Sequence, residues 1–297
     1  PATQTTLKPR VENDEVVLFA MAASREAYLP PGYVFNLGVE AQYEAYTLLK
    51  WIAENDWDYE AKGPAKVGGA AWSESYSDVL LVAMEKYCST HPDQFVWEGG
   101  YLTAFSMNWQ AEVEALKDCD YVYPGILFIS FVEQYREAGY TEAKFLGSDT
   151  SAAFMGSVDS AERWDEIDGM FFLRASHWWN EEGEIVNLVK QLVHKNHSSE
   201  TERIVSSGVG YMAINQLHAM FSIIADAVEA VGPENFNSQA LYNAAESFSM
   251  TINGIPRFSF GEDKRWMTDI YGIYEARGAE KDIFRVNDEW YPVVCNP

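Results

Sequence analysis

One structural unit recurs along the middle of this chain: an apolar strand pattern, a short loop and then an amphipathic helix pattern. Three strand–helix pairs and a final strand follow one another: Lys66–Trp72 with Glu74–Cys88, Gln94–Gly100 with Trp109–Leu116, Asp120–Pro124 with Phe128–Ala138, and Lys144–Gly147. Strands that alternate with helices form a parallel sheet, because the chain needs a crossover to return in the same direction. Such sheets bind ligands at the carboxyl ends of their strands. The pattern therefore predicts an α/β fold and places function in the loops that follow the strands.

The remaining segments carry weaker strand and helix patterns. Strand patterns lie at Glu15–Ala22, Tyr33–Leu37, Gly169–Leu173, Arg257–Phe260, Asp269–Ala276 and Ile283–Val286. Helix patterns lie at Glu40–Asn55, Glu181–Lys195, Ser206–Val231 and Asn237–Ser247. Because the chain opens within what looks like a helix, at Gln4–Asn13, we expect the first strands of that domain to lie upstream. A length of 297 residues suggests two domains.

Net charge argues against nucleic acid as a partner, and the length of the apolar runs argues against insertion into a membrane. The chain carries a formal net charge of −24, whereas nucleic-acid binding requires clustered Lys and Arg. No apolar run approaches the roughly 20 residues that a membrane-spanning helix needs. We therefore expect no nucleic-acid partner and no insertion of this chain into a membrane.

Cysteine and histidine spacing indicates neither a metal site nor a compartment. Cys88, Cys119 and Cys295 lie far apart, and both one disulfide with a free thiol and three buried thiols are compatible with that spacing. His194 and His197 stand three residues apart with no third ligand type nearby. The nucleotide-binding, hydrolase and zinc-protease motifs are missing from the sequence. We expect no metal, no cofactor and no catalytic residue.

The side chains that follow the strand patterns form the candidate binding site. They are Ser24 after the first strand, Trp72 and Tyr76 after Val67–Ala71, Asp149 after Lys144–Gly147, and Ser176–Trp179 after Gly169–Leu173. A carboxylate receives an ammonium group, whereas hydroxyl and backbone N–H groups receive a carboxylate. Together these residues offer a hydroxyl, a carboxylate and several aromatic surfaces, a combination that suits a small zwitterion or a polar organic molecule.

Each of these residues also has a purely structural interpretation. Asp149 precedes Thr150 and a short helix, so it can equally be an N-cap. Tyr76 can be a core aromatic of the first helical turn, and Ser24 can cap the next turn. Trp72 can simply pack at an interface between domains, and so can Trp178-Trp179. The residues alone leave these alternatives open.

At these positions the sequence resembles the substrate-binding proteins of branched-chain amino-acid ABC transporters. The resemblance rests on the order of several short motifs: Val17–Ser24 ending in Ala-Ala-Ser, Val67–Ala71 followed by Glu74-Ser75-Tyr76-Ser77, Asp120–Pro124 with Gly125, Gly139 with Phe145–Asp149, and Asp168-Gly169-Met170. It extends over essentially the whole chain.

The resemblance implies the type I periplasmic-binding fold, in which two doubly wound parallel-sheet lobes are joined by a hinge of several crossings. It implies that residues 1–36 plus 176–264 form the first lobe, incomplete at its N-terminus, and that residues 37–175 plus 265–297 form the second. The expected crossings lie near Phe35–Leu37, Leu173–Ser176 and Lys264–Thr268. Ligand is expected between the lobes, which close by hinge motion.

The resemblance also assigns roles in ligand binding. Ala22 and Ser24 would hold a ligand carboxylate, Tyr76 would cover the ligand, and Asp149 would receive an amino group. Three departures from the family pattern involve further candidate ligand-binding residues: Trp72 in place of a small polar residue, Phe128 in a loop that is tyrosine-rich in the family, and His177 after the hinge. These departures favour a ligand with a bulky or aromatic part.

The implied function is a non-enzymatic receptor that delivers an amino acid, or a similar small polar or aromatic carboxylate or amide, to an ABC permease in the membrane. The implied location is periplasmic or extracellular, with a lipid anchor as one option. A ligand-sensing regulator or receptor domain on the same fold is the alternative. A two-carboxylate enzyme is poorly supported, because only Asp149 stands convincingly at a strand end.

Overall fold

The computed structural model describes the backbone of residues 2–21, 25–207 and 209–297, and the side chains of these residues apart from 2, 3 and 209–213. Its helices are α1 (Ala2–Asn13), α2 (Arg25–Tyr28), α3 (Ala41–Asn55), α4 (Tyr59–Lys62), α5 (Ser75–Thr90), α6 (Gln110–Leu116), α7 (Ile129–Glu137), α8 (Met155–Ala161), α9 (Glu184–Asn196), α10 (Thr201–Ser207), α11 (Val209–Val231) and α12 (Ser238–Glu246). Its strands are β1 (Leu18–Ala20), β2 (Val34–Asn36), β3 (Ala65–Trp72), β4 (Phe95–Thr103), β5 (Tyr121–Tyr123), β6 (Lys144–Gly147), β7 (Phe171–Arg174), β8 (Ser249–Ile252), β9 (Ile255–Ser259), β10 (Ile270–Arg277), β11 (Asp282–Arg285) and β12 (Tyr291–Pro292).

The chain divides into two compact units. Unit 1 consists of Pro1–Glu40, Ala175–His197 and Gly210–Ile270. Unit 2 consists of Ala41–Arg174, Ser198–Val209 and Tyr271–Pro297. Residues 198–209 thus group with unit 2, whereas the division expected from sequence keeps 176–264 together.

Unit 2 is built on a mixed sheet with strand order β11-β10-β7-β6-β5-β3-β4, and β12 pairs with β10. The pairs from β4 through β7 are all parallel, with Val67 opposite Tyr121 and Tyr121 opposite Lys144. β10 runs antiparallel to both β7 and β11. The predicted parallel arrangement of the strand–helix repeats is confirmed, and the C-terminal strands extend the sheet beyond β7.

Small residues in β3 allow helices to pack closely on the sheet. A Cβ atom on Gly69 would lie 2.5 Å from Cδ2 of Leu81 on α5, so a larger residue could not occupy this position without displacing that side chain. α3 in turn packs against α5. β4 is different: after the buried Phe95 its residues alternate between exposed and partly buried, which is typical of an edge strand with one solvated face.

Unit 1 contains a short parallel pair, β1 with β2, and an antiparallel hairpin, β8 with β9. Leu18 lies opposite Val34 in the parallel pair. A cluster around Ala27 and Tyr28 of α2 packs against both strands, with Trp266 at its margin. The β1 pattern predicts eight residues, of which Ala22 lies outside the described residues, but the strand itself covers three. Glu15 adopts a left-handed backbone conformation after α1, and Val16 still donates its backbone N–H to the carbonyl oxygen of Val11 in that helix.

Several boundaries differ from the sequence-based expectation. The helix predicted at Ser206–Val231 is present as α10 and α11, which flank residue 208 outside the described part of the chain. β7 runs one residue beyond the predicted strand and ends at Arg174. That single residue matters, because it places a buried guanidinium at the carboxyl end of the sheet.

Cys88 and Cys119 are buried free thiols, and Cys295 is a partly exposed one. Of the two cysteine arrangements compatible with the sequence, the structure therefore has the one without a disulfide. Within residues 2–21, 25–207 and 209–297, no helix combines the length and the apolar character that crossing a bilayer requires.

Candidate functional site

The strand order of unit 2 places a crevice at the carboxyl ends of β3 and β5. From β3 the chain passes to β4 on one side, and the next strand, β5, lies on the other side of β3. Ligands of open parallel sheets bind at such a reversal, because the loops from the two neighbouring strands diverge there. A cavity of about 290 Å³ lies at this point. Its described lining comprises Trp72, Glu74, Ser77, Phe105, Trp109, Pro124, Gly125, Ile126, Leu127 and Phe154.

Gly125 shapes the loop on the β5 side of this cavity. Its φ of +82° lies in the left-handed region, and a Cβ atom would approach the carbonyl oxygen of Ala70 and the Cα of Ala71 to 3.3 Å. Glycine therefore allows the chain to turn sharply against β3 directly after β5. The turn brings Leu127 to the cavity.

Aromatic residues supply much of the apolar wall. The ring centroids of Trp72 and Phe105 lie 5.4 Å apart, and the indole N–H of Trp72 donates to the carbonyl oxygen of Ser106 at 2.7 Å. The indole N–H of Trp109 donates to Oγ of Ser130 at 3.0 Å. These hydrogen bonds fix the orientation of both indoles, so the wall is preorganised.

Glu74 is the acidic residue of the cavity lining. It is the N-cap of α5, where Oε2 accepts the backbone N–H of Tyr76 at 2.8 Å and Oε1 accepts that of Ser77 at 2.6 Å. The position suits a carboxylate, because it satisfies two N–H groups that lack helical partners and lies at the positive end of the helix dipole.

A buried polar cluster lies at the carboxyl ends of β6 and β7. The Tyr76 hydroxyl donates to the carboxylate of Glu44 on α3, and the other Glu44 oxygen accepts the backbone N–H of Asp149 at 2.7 Å. Oδ1 of Asp149 lies 3.6 Å from Nη1 of Arg174, an ion-pair distance. Glu44, Asp149 and Arg174 are all buried. Two carboxylates and one guanidinium therefore lie together in the interior at this end of the sheet.

Two tyrosine hydroxyls of this region stay neutral. Burial, followed by the charge of Glu44, raises the pKa of Tyr76 well above its ordinary value. Burial also raises the pKa of Tyr123, while the hydroxyl of Ser77 opposes the shift. Both groups are therefore hydrogen-bond donors at physiological pH and add no charge to the cluster.

Tyr76 and Ser77 link the cavity to the polar cluster. They are neighbours in the first turn of α5, where Tyr76 contacts Glu44 and Ser77 lines the cavity. Ser148, directly before Asp149, accepts the backbone N–H of Ser151 at 3.1 Å and so serves the start of the short 3₁₀ helix there.

Three of the sequence-predicted site residues, Trp72, Tyr76 and Asp149, come together at the carboxyl edge of the unit 2 sheet. Phe128 has a different environment: its ring is fully buried and packs edge-on against Phe172 with a centroid distance of 6.2 Å. The preceding residue, Leu127, lines the cavity instead. Phe128 is thus a core residue of unit 2.

The remaining predicted residues belong to unit 1. His177 is partly buried in the segment between β7 and α9. Ala22 and Ser24 lie outside the described residues. Their roles toward a ligand stay predictions.

Sequence reasoning did not identify Glu44, Phe105, Trp109 or Arg174. A signal for Glu44 was present, because a carboxylate between Tyr43 and Ala45, on the part of the helix that is buried, has to be satisfied by polar partners. Arg174 follows the predicted strand by one residue, so a small boundary error concealed it.

Neither the family models nor the curated proteins match this sequence. Solved structures do match it. A branched-chain amino-acid ABC transporter protein from Thermus thermophilus with bound valine has a TM-score of 0.77 and 16% identity, covering 98% of this chain and 76% of that one.

Two further structures share the likeness. A leucine-binding protein from Thermotoga maritima has a TM-score of 0.71 and 10% identity, covering 98% of this chain and 77% of that one. An ABC transporter solute-binding protein from Rhodopseudomonas palustris BisB5, in complex with 3,4-dihydroxybenzoic acid, has a TM-score of 0.72 and 14% identity, covering 99% and 77%. The chain therefore has the fold of ABC transporter solute-binding proteins, the type I periplasmic-binding fold that the resemblance in sequence implies.

Proposed function

We propose that this chain is the solute-binding component of an ABC importer. It binds a small molecule, an amino acid or a similar polar or aromatic carboxylate or amide, and presents it to a membrane permease without chemical change. Its location is then periplasmic or extracellular. The proposal is carried by the cavity at the carboxyl ends of β3 and β5, in a chain that shares its fold with solute-binding proteins over 98% of its length.

The polar cluster supports a ligand that carries an amino group. Two carboxylates, Glu44 and Asp149, lie in this cluster beside the guanidinium of Arg174, and all three side chains are buried. A buried carboxylate attracts a cation strongly, because few water dipoles compete with the ligand. We assign the ammonium group of the ligand to this cluster, with Asp149 as its main partner.

The carboxylate site expected at Ala22 and Ser24, and closure by hinge motion, stay predictions. The sensing alternative gains no support from the comparisons, since the matching proteins quoted above are named as transporter components or amino-acid-binding proteins.

Ligand binding is testable by thermal shift over a panel of amino acids, aromatic acids and amides, followed by calorimetry of each compound that stabilises the protein. Leu127→Trp should fill the cavity and weaken binding by about tenfold or more. Leu102→Trp is a matched control on β4, since Leu102 is 40% exposed and Leu127 is 39% exposed. If no compound of the panel binds, or if both variants weaken binding equally, the proposal is wrong.

A further inference from the structure

The mouth of the cavity holds an exposed phenylalanine in an unusual backbone conformation. Phe105 is 68% exposed and has a φ of +54°. Bulky side chains rarely adopt this left-handed conformation, and residues held in it concentrate at binding sites. An apolar ring that folding does not bury, held in a strained conformation, indicates that it has a partner outside the folded chain.

The Phe105 ring is coupled to Trp72. The two rings are tilted at 51° with centroids 5.4 Å apart, and the residue after Phe105, Ser106, accepts the indole N–H of Trp72. One short segment after β4 therefore sets both the position of Phe105 and the orientation of Trp72. The pair presents a fixed corner of aromatic surface to the cavity.

The size and charge of the cavity restrict what can enter. Its volume of about 290 Å³ is larger than the roughly 150 Å³ of an apolar cavity known to bind benzene. Among the described lining residues Glu74 is the only charged one, and its carboxylate already accepts two backbone N–H groups. A ligand carboxylate would meet repulsion here, whereas an uncharged ring would meet apolar and aromatic surface on several sides.

We infer that the cavity receives an aromatic ring, so that the solute class is an aromatic amino acid or an aromatic acid or amide rather than a branched aliphatic one. Phe105 and Trp72 are the residues that determine this specificity. The inference rests on the solute-binding function proposed above and narrows it to one ligand class.

The test compares ligands in pairs that share a head group: L-phenylalanine with L-leucine, benzoate with isovalerate, and benzamide with isovaleramide. Calorimetry should show the aromatic member binding about tenfold or more tightly in at least one pair. If an aliphatic member binds as tightly as its partner or more tightly in every pair that binds, the inference is wrong and the proposed function stands. If none of the six compounds binds but another member of the panel of amino acids, aromatic acids and amides does, the inference is wrong and the proposed function stands. If no member of that panel binds, the proposed function fails together with the inference.

Two variants test whether the Phe105 ring is responsible for the selectivity for aromatic over aliphatic ligands. Phe105→Asn removes the ring with a residue that tolerates the left-handed conformation, so the protein should stay folded. The ratio of aliphatic to aromatic dissociation constants should then fall about tenfold. Met107→Asn is the control, since Met107 is 63% exposed in the same segment and is not among the lining residues. Unchanged selectivity in Phe105→Asn, or an equal loss in Met107→Asn, would overturn the assignment.

Discussion

The side chain of Glu44 on α3 accepts the backbone N–H of Asp149 at 2.7 Å, although the two residues lie 105 positions apart in the chain. The contact ties the loop after β6 to a helix that packs on the sheet. Because the Tyr76 hydroxyl donates to the other oxygen of the same carboxylate, Glu44 connects α3, α5 and the carboxyl end of β6. The backbone that carries Asp149 is therefore held in place before any ligand arrives.

The coupling between Tyr76 and Glu44 is measurable by a double-mutant cycle. We expect urea unfolding of Tyr76→Phe, Glu44→Gln and the double variant to show a coupling free energy of about 1–3 kcal/mol, because the hydrogen bond is buried and one partner is charged. Tyr140 and Glu114 form a similar pair at the surface, at 2.7 Å. The cycle of Tyr140→Phe with Glu114→Gln should give a much smaller value. Equal coupling in the two cycles would contradict the structural role of Glu44.

Asp149→Asn should specifically weaken binding of an amine-bearing ligand. The substitution removes the charge that we assign to the ligand ammonium, and we expect a loss of about 2–4 kcal/mol of binding free energy. Calorimetry with L-phenylalanine and with 3-phenylpropionate, which lacks the amine, separates this effect from general damage. Asp118→Asn, at an exposed position, serves as the control. An equal loss of binding free energy for both ligands would show that Asp149 does not bind the ligand ammonium.

Gly125→Ala should destabilise unit 2 and alter the cavity. Alanine at φ +82° is strained, and its Cβ would also press against Ala70 and Ala71 at 3.3 Å. We expect a loss of about 2–4 kcal/mol in the free energy of unfolding, of which about 1 kcal/mol is backbone strain. Gly139→Ala isolates that strain, since Gly139 has a φ of +88° with no atom within 4 Å of the added Cβ. If the two variants lose the same stability in thermal or urea unfolding, close approach at Gly125 is unimportant.

Much of the unit 2 fold could be predicted from sequence, because the strands β3 to β7 alternate with helices and the central ones are mostly buried on both faces. β6 is present with the predicted bounds, and β3 differs by one residue. An apolar pattern in the sequence indicates which residues are buried, and residues of a central strand are buried because helices cover both faces of the sheet. β1 was harder, since the predicted run is mostly apolar but begins with the left-handed Glu15, and the backbone of Val16 still bonds to α1.

The site was predicted less completely, because several of its residues are brought together only by contacts between segments that are distant in the sequence. The strand-end rule found Trp72, which ends β3, and Asp149, which lies two residues beyond the end of β6. It could not find Glu44, which lies on a helix and reaches Asp149 only through packing. The left-handed conformation of Phe105 is likewise invisible in sequence, since no glycine or asparagine marks it.

The thiols should differ sharply in reactivity. Burial raises the pKa of both Cys88 and Cys119 to about 12, so at pH 8 only about 10⁻⁴ of each is thiolate. Cys295 is partly exposed. In the native protein we expect Ellman's reagent to titrate one thiol rapidly, and all three after denaturation. Cys295→Ser should abolish the rapid phase. Persistence of that phase in Cys295→Ser, or its loss in Cys88→Ser, would contradict the assignment.

Glu40 should make stability depend on pH near neutrality. It is the last residue of the first segment of unit 1 and is 4% exposed, and the Tyr28 hydroxyl donates to its carboxylate. Burial raises the pKa of Glu40 from 4.5 to about 7, although the hydrogen bond from Tyr28 and the charge of Arg25 act in the opposite direction. The folded protein therefore holds this proton more tightly than the unfolded chain does.

The sign of the effect follows from that difference in proton binding. The stabilising contribution of protonated Glu40 is fully present below about pH 4.5 and is lost as the pH rises to about 7, a change of up to about 3 kcal/mol. Glu40→Gln, which cannot ionise, should have similar stability to the wild type at low pH and greater stability at pH 8. Urea unfolding of both proteins from pH 4.5 to 8 measures the difference, and subtraction removes the pH dependence contributed by the other acidic residues. Parallel stability profiles for the two proteins would show that Glu40 is ionised throughout the range.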